Sequence, residues 1–165
     1  MITMMKKNNT TAMKTKDNAP ITQPHPAVAD DDPVRERYRM APKVIVAGSR
    51  GFDDYAMMHT TLSDLFNNNP FFAGKLVKVI SGMAPGADTL AIRYADEHQL
   101  PKILMPPCWP YDKRRAGIFR NEDMVSIADA VVAFWDGQSH GTLHTIETAK
   151  AHGLPVWVYE LKMGK

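Results

Sequence analysis

The sequence carries one cysteine, Cys108, in 165 residues. That excludes an intrachain disulfide framework and fits a reducing compartment, with the thiol expected to serve as a small, partly buried apolar side chain. Long hydrophobic runs are missing as well. The longest, such as Ala130-Val-Val-Ala-Phe-Trp135, fall far short of the roughly 20 residues that a membrane span needs. The N-terminus lacks the apolar h-region of a signal peptide, so no membrane partner is expected and the expected location is cytoplasmic. Excess charge is also scarce, at a formal net of +2. Residues 1–40 hold seven of the 20 Lys/Arg and five of the 18 Asp/Glu, which leaves thirteen of each for the rest. A neutral domain lacks the broad basic field of a general duplex-DNA binder, although Lys113, Arg114, Arg115 and Arg120 form a local cluster able to hold phosphates. This favours a small anionic ligand over a long polyanion.

With 44% hydrophobic residues, the chain can support one ordinary domain with a sizeable core. Residues 1–40 are rich in Asn, Thr, Lys, Asp and Pro, and their few apolar residues follow neither helical nor strand spacing, as expected of a disordered or flexible tail. The folded domain is expected over 41–165. There the texture alternates between short apolar runs and helical patterns, with Gly or Pro between them. Strands are expected at Lys43–Gly48, Leu76–Ile80, Lys102–Met105, Ala130–Trp135 and Pro155–Tyr159. The intervening helices carry Met57, Met58, Leu62 and Leu65; then Leu90, Ala91, Tyr94 and Ala95; then Ile118, Met124 and Ile127; the last starts in the Gly- and hydroxyl-rich segment after Asp136 and ends near Gly153. Asp53 or Asp54 can cap the first of them. The fold class that follows is α/β: a Rossmann-like three-layer domain with a mainly parallel sheet of about five strands flanked by helices. No internal repeat interrupts this order.

In such sheets ligands bind beyond the carboxyl ends of the strands, where helix N-termini present free N–H groups and partial positive charge. Three loops fall at that edge: Gly48-Ser-Arg-Gly-Phe-Asp53, Ser81-Gly-Met-Ala-Pro-Gly-Ala-Asp88 and Asp136-Gly-Gln-Ser-His-Gly-Thr142. One glycine at a strand–helix turn serves only the turn, but three such loops on one edge point to a ligand. Arg50 and Arg120 suit phosphate, because a guanidinium meets two phosphate oxygens at once. Ser49, Ser81, Ser139 and Thr142 supply short hydroxyls, and capping and anion contact are compatible there. Asp88 suits a sugar hydroxyl or a local turn, and Asp136 suits the same contact or its own loop. Among the aromatics, Phe52, Trp109, Tyr111 and Trp135 could stack on a base or close the core. His140 and His144 share a helix face but lack an evident third metal ligand, so no metal is expected.

Taken together, Gly48-Ser-Arg-Gly-Phe-Asp53, Ser81-Gly-x-Ala-x-Gly-Ala-Asp-x-Leu-Ala91, Arg120-Asn121 with Met124, and Ala128-Asp129 through Phe134-Trp-Asp-Gly-x-Ser-x-Gly-Thr142 resemble the SLOG superfamily of Rossmann-like domains, in particular its YspA-type branch. The resemblance covers about Lys43 to Tyr159. It implies a nucleotide or nucleotide-derived ligand held by Gly48, Ser49, Arg50, Phe52, Asp53, Ser81, Gly82, Gly86, Asp88, Arg120, Asn121, Asp136, Gly137, Ser139, Gly141 and Thr142. No further cofactor is expected. Related branches include DprA-type DNA-processing proteins and LOG phosphoribohydrolases, so two alternatives stand beside a sensor or sequestering role: cleavage of an N-glycosidic bond, and binding of single-stranded DNA. LOG enzymes resemble Arg-Lys-x-x-Met followed by Pro-Gly-Gly-x-Gly-Thr-x-x-Glu. Arg120, Met124, Gly141 and Thr142 fit this pattern, but Thr145 stands at the glutamate position. Glu147 lies two residues on, rotated by roughly 200° around a helix, so Arg120, Asp136 and Glu147 are the catalytic candidates that remain. The resemblance also implies a homo-oligomer, with Met57, Met58 and Met124 available to an interface or to the core.

Overall fold

The computed structural model describes residues 32–108 and 115–162. Its order is α1 (Pro33–Arg39), β1 (Lys43–Gly48), α2 (Tyr55–Asn68), β2 (Lys78–Ser81), α3 (Ala87–Glu97), β3 (Lys102–Leu104), α4 (Ala116–Ile127), β4 (Ala130–Trp135), α5 (His140–Ala151) and β5 (Val156–Glu160). The five strands form one sheet in the order β3-β2-β1-β4-β5. Every pairing is parallel, including Ile45 opposite Val131 and Ile45 opposite Ile80. No helix among the described residues is long and apolar enough to cross a membrane.

Period-two alternation in the strands builds the three layers. Val44 and Val46 on β1, with Val79, Val132 and Phe134, join Met58, Leu62, Ala91 and Tyr94 of α2 and α3 on one face. Ile45 and Ala47 point the other way and pack with Ile80, Val131, Met124, Val125 and Ala149, covered by α4 and α5. A strand buried on both faces reads as an unbroken apolar run, and β1 and β4 do so because they occupy the middle of the sheet. Asp54 caps α2 by accepting from the Met57 N–H at 2.8 Å, an interaction of about 1 kcal/mol.

Several expectations shift. β2 begins at Lys78 rather than Leu76, and β3 is only three residues long, as suits a half-exposed edge strand. Within the expected tail, Pro33–Arg39 forms α1, capped by Asp32 and burying none of its residues; the Lys78 ammonium lies 4.0 Å above the Tyr38 ring. Residues 1–31 lie outside the described residues. Met58 and Met124 are core residues, 0% and 1% exposed, rather than interface residues, and Met57 packs half-buried against the core. Cys108 is exposed rather than partly buried.

The topology fixes where a ligand can enter. From β1 the chain winds outward through β2 to β3, then returns to the other side of β1 through β4 and β5. The loops after β1 and β4 therefore diverge at their carboxyl ends, opening a crevice where the direction of winding reverses.

Candidate functional site

The crevice is a cavity of about 310 Å³ lined by Ala47, Gly48 and Arg50 from the end of β1, Ala84 and Asp88 from the β2–α3 turn, Gly117, Ile118, Arg120, Asn121 and Met124 from α4, and Ser139, Gly141 and Thr142 from the start of α5. It brings together residues from all three loops that the sequence singled out, together with α4 from Gly117 to Met124.

Glycine packing makes the loops meet. A Cβ on Gly48 would stand 2.3 Å from the Phe134 carbonyl oxygen, so β1 and β4 can approach there only without a side chain. Gly86 has φ +83° and lies against the Ser49 and Arg50 carbonyls, and a Cβ on Gly82 would stand 2.0 Å from Arg120 Nη1. These three glycines let neighbouring loops of the chain pack closely. Gly117 and Gly141 differ, because each faces open space on the cavity side.

Hydroxyls and carboxylates fasten the loops. The buried Ser49 Oγ accepts from the Asp136 N–H at 3.1 Å, tying the β1 loop to the β4 loop. Ser81 Oγ donates to the Asp88 carbonyl at 3.0 Å and accepts from the Met83 N–H at 3.2 Å. Asp136 Oδ1 accepts from the Gln138 and Ser139 N–H groups at 2.9 and 2.8 Å, and these bonds hold its carboxyl below the usual aspartate range. Trp135 Nε1 donates to the Ser139 carbonyl at 3.1 Å, so its ring closes the same loop.

The charges within the crevice are mainly positive. Arg120 donates through Nη1 to the Gly82 carbonyl and through Nε to Asn121 Oδ1 at 2.9 Å, and Asn121 Nδ2 donates to the Gly141 carbonyl at 3.2 Å. One chain of bonds thus links the β2 loop, α4 and α5. Burial lowers the Arg120 pKa, the Asp88 charge opposes that shift and the Arg50 charge adds to it, so the two guanidiniums feel each other. Arg50 is exposed and has no carboxylate partner among the described residues. Asp88, 4% exposed, accepts from the Ala84 N–H at 3.3 Å. Burial raises its pKa above the usual range, while the Ala84 N–H, the Arg120 charge and the Gly48 and Gly82 N–H groups pull it down.

Among the described residues, neither of the two helices that begin at this cavity has a side-chain cap bond. Ser139, the N-cap of α5, makes no cap bond; its Oγ pairs with Thr142 Oγ1 at 3.0 Å. Arg115 at the start of α4 makes no cap bond either, and stacks over Phe119 at 4.7 Å. The first-turn N–H groups of both helices have no intrahelical acceptor, which suits them to an anion.

Other expected site residues fall elsewhere. Phe52 is 6% exposed and stacks on Phe134 at 5.1 Å, because the β1 loop turns it into the core. Asp53 is exposed outside the cavity lining, and its carbonyl accepts from the Tyr55 N–H. Gly137, with φ +76°, is an exposed turn residue. Ser81 and Ser49 act behind the cavity wall. Glu147 is exposed and absent from the lining, and the Thr145 hydroxyl donates to the Gly141 carbonyl at 3.2 Å. His144 Nε2 lies 3.8 Å from Glu122 Oε1, and no metal-holding group of three or more His, Cys, Asp or Glu occurs among the described residues. Trp109, Tyr111, Lys113 and Arg114 lie outside the described residues. The sequence reading missed Ala47, Ala84, Gly117, Ile118 and Met124 as cavity lining; the Gly at the second position of α4 was the available signal for the close approach there.

A family model described as YspA, cpYpsA-related SLOG matches residues 42–110. The chain is similar to the Gene 61 protein of Mycobacterium phage D29, at 32% identity over 120 residues, 69% of this chain and 93% of the phage protein. Among solved structures it is similar to DNA processing protein A from Streptococcus pneumoniae, with TM-score 0.56 and 21% identity over 72% of this chain and 50% of that one. It therefore spans half the length of the pneumococcal protein. DNA processing protein A from Helicobacter pylori, described for its single-stranded DNA binding mode, gives TM-score 0.56 and 20% identity over 79% of this chain and 70% of that one. At these identities the two structures speak to the fold.

Proposed function

The chain belongs to the YspA, cpYpsA-related SLOG family, and on that premise we propose that it binds a nucleotide or nucleotide-derived signalling ligand, as a sensor or sequestering protein of the cytoplasm. The observation that carries this reading is the convergence of Arg50, Arg120 and the N-terminal starts of α4 and α5 on one cavity at the reversal of the sheet. The phosphate sits between the two guanidiniums and the first-turn amides, where charge-assisted bonds are strongest. Asp88, Asn121 and Thr142 line the inner wall and suit sugar hydroxyls.

Holding fits the residues better than cleaving. N-glycosidic hydrolysis needs a carboxyl group placed to assist the leaving base or stabilise the sugar cation. Glu147 is exposed and outside the cavity lining, and the Asp136 carboxylate is engaged by its own loop. Asp88 is the acidic residue in the cavity lining, and backbone N–H groups hold it. Incubation with a panel of nucleoside mono- and diphosphates, followed by mass spectrometry, tests the reading. Retained intact nucleotide supports it; steady release of free base replaces it with a hydrolase.

A further inference from the structure

The cavity does not end at its arginines. A second cavity of about 230 Å³ is lined by Arg50, Gly82, Met83, Ala84, Pro85, Pro107, Gly117 and Arg120. Four of these residues, Arg50, Ala84, Gly117 and Arg120, also line the first. The two spaces are therefore compartments of one cleft, and the guanidiniums stand at the waist between them. The compartments differ in chemistry. The inner one offers Asp88, Asn121, Ser139 and Thr142, which suit hydroxyls and polar edges. The outer one adds Met83, Pro85 and Pro107, side chains that present flat or soft apolar surface and no charge.

Small-molecule sites run from about 300 to 1,000 Å³. The inner compartment alone, about 310 Å³, stands at the bottom of that range, and the outer one carries the cleft well into it. A mononucleotide would occupy the inner compartment and the waist and leave the apolar one to water. Met83 also adopts φ +60° and is 45% exposed. A non-glycine residue in that conformation is strained and persists where the surroundings impose it. Here the Ser81 Oγ bond to its N–H holds the turn, and the turn sets the thioether at the outer compartment.

The geometry points to a ligand of two nucleoside-type moieties joined through phosphate, with the bridge at the Arg50–Arg120 waist and the second ring against Met83, Pro85 and Pro107. This rests on the nucleotide-binding reading above and adds the size and two-part character of the ligand. A pyrophosphate bridge matches the two positive charges of the waist, and a free dinucleotide is favoured over a strand because the domain beyond residue 40 carries equal numbers of Lys/Arg and Asp/Glu.

The test is calorimetric titration of the full chain with four probes: a nucleoside monophosphate, a pyrophosphate-linked dinucleoside, a phosphodiester dinucleotide and a twelve-nucleotide single strand. It is repeated on Met83→Trp, which fills the outer compartment, and on Met83→Gly, which relieves the backbone and checks that the turn tolerates change. The pyrophosphate-linked probe is expected to bind at least about tenfold more tightly than the monophosphate, a margin of about 1.4 kcal/mol. Met83→Trp is expected to remove that margin and leave the monophosphate affinity unchanged, with Met83→Gly as stable as the parent. Equal affinity for monophosphate and dinucleoside, or a margin that survives Met83→Trp, overturns the two-compartment ligand and leaves nucleotide binding standing. Binding that rises with strand length and falls steeply with salt overturns it in favour of nucleic acid. Failure of every probe removes the nucleotide-binding reading itself and this inference with it.

Discussion

Arg120 on α4 donates to the carbonyl of Gly82 in the β2–α3 turn, and the two residues are in such close contact that a Cβ on Gly82 would stand 2.0 Å from Nη1 and 2.8 Å from Asp88 Oδ2. Alanine at Gly82 therefore has to move the guanidinium or the buried carboxylate. Gly82→Ala is expected to lower stability by about 1–3 kcal/mol, the usual cost of overpacking, and to weaken ligand binding in the same variant. Chemical denaturation and titration calorimetry on one preparation check both effects.

Arg50 and Arg120 are expected to separate binding from folding. Arg50 is exposed and unpaired with any carboxylate among the described residues, so Arg50→Ala is expected to cost binding about 1.5–3 kcal/mol, the range of hydrogen bonds to charged groups, with the melting temperature unchanged. Arg120→Met is expected to lose binding and some stability, because the Gly82 carbonyl and Asn121 Oδ1 lose their donor. Parallel melting and binding curves distinguish the two.

Asp88 gives a pH signature. Its pKa is raised chiefly by burial and held back by the Ala84 N–H and the Arg120 charge. A carboxyl with a folded pKa above its unfolded value contributes stability below the unfolded pKa, and that contribution is lost as pH rises through the folded one. Its window therefore opens just above the usual aspartate range. In Arg120→Met the Asp88 titration is expected to move further up, read by carbon-detected NMR of the carboxyl. A downward movement would mean that the two charges do not meet in the cleft.

Asp136 behaves in the opposite sense. The Gln138 and Ser139 N–H groups depress its pKa, so its contribution is present above the unfolded aspartate value and is lost as pH falls through the folded one. Asp136→Ala is expected to release the start of α5, speeding amide exchange at Gln138 and Ser139 and lowering ligand affinity. Unchanged exchange at these two amides would remove Asp136 from the loop's support.

Much of the fold was legible because two periods coincide with two environments. Unbroken apolar runs marked β1 and β4, which sit mid-sheet with both faces covered. β3 was harder to bound, since three residues at a half-exposed edge leave little pattern. At the site, Gly48, Arg50, Asp88, Ser139, Gly141 and Thr142 line the cavity from the three loops, and Arg120 and Asn121, which the family resemblance supplied, line it from α4. Phe52 takes the core alternative because a residue in a ligand loop can still turn inward, and only the partner ring of Phe134 decides which way it goes. Gly48, Gly82 and Gly86 let neighbouring loops pack closely, and Gly48 and Gly82 also line the cleft, a packing role that depends on neighbours distant in sequence.

The measurement that meets the central claim most directly is binding of nucleotides to the full chain and to Arg50→Ala, with the bound species identified by mass spectrometry before and after incubation. Intact nucleotide held by the parent and lost from a folded Arg50→Ala is the predicted result. A parent that binds no nucleotide, or one that retains it undiminished without Arg50, contradicts the assignment of this cleft.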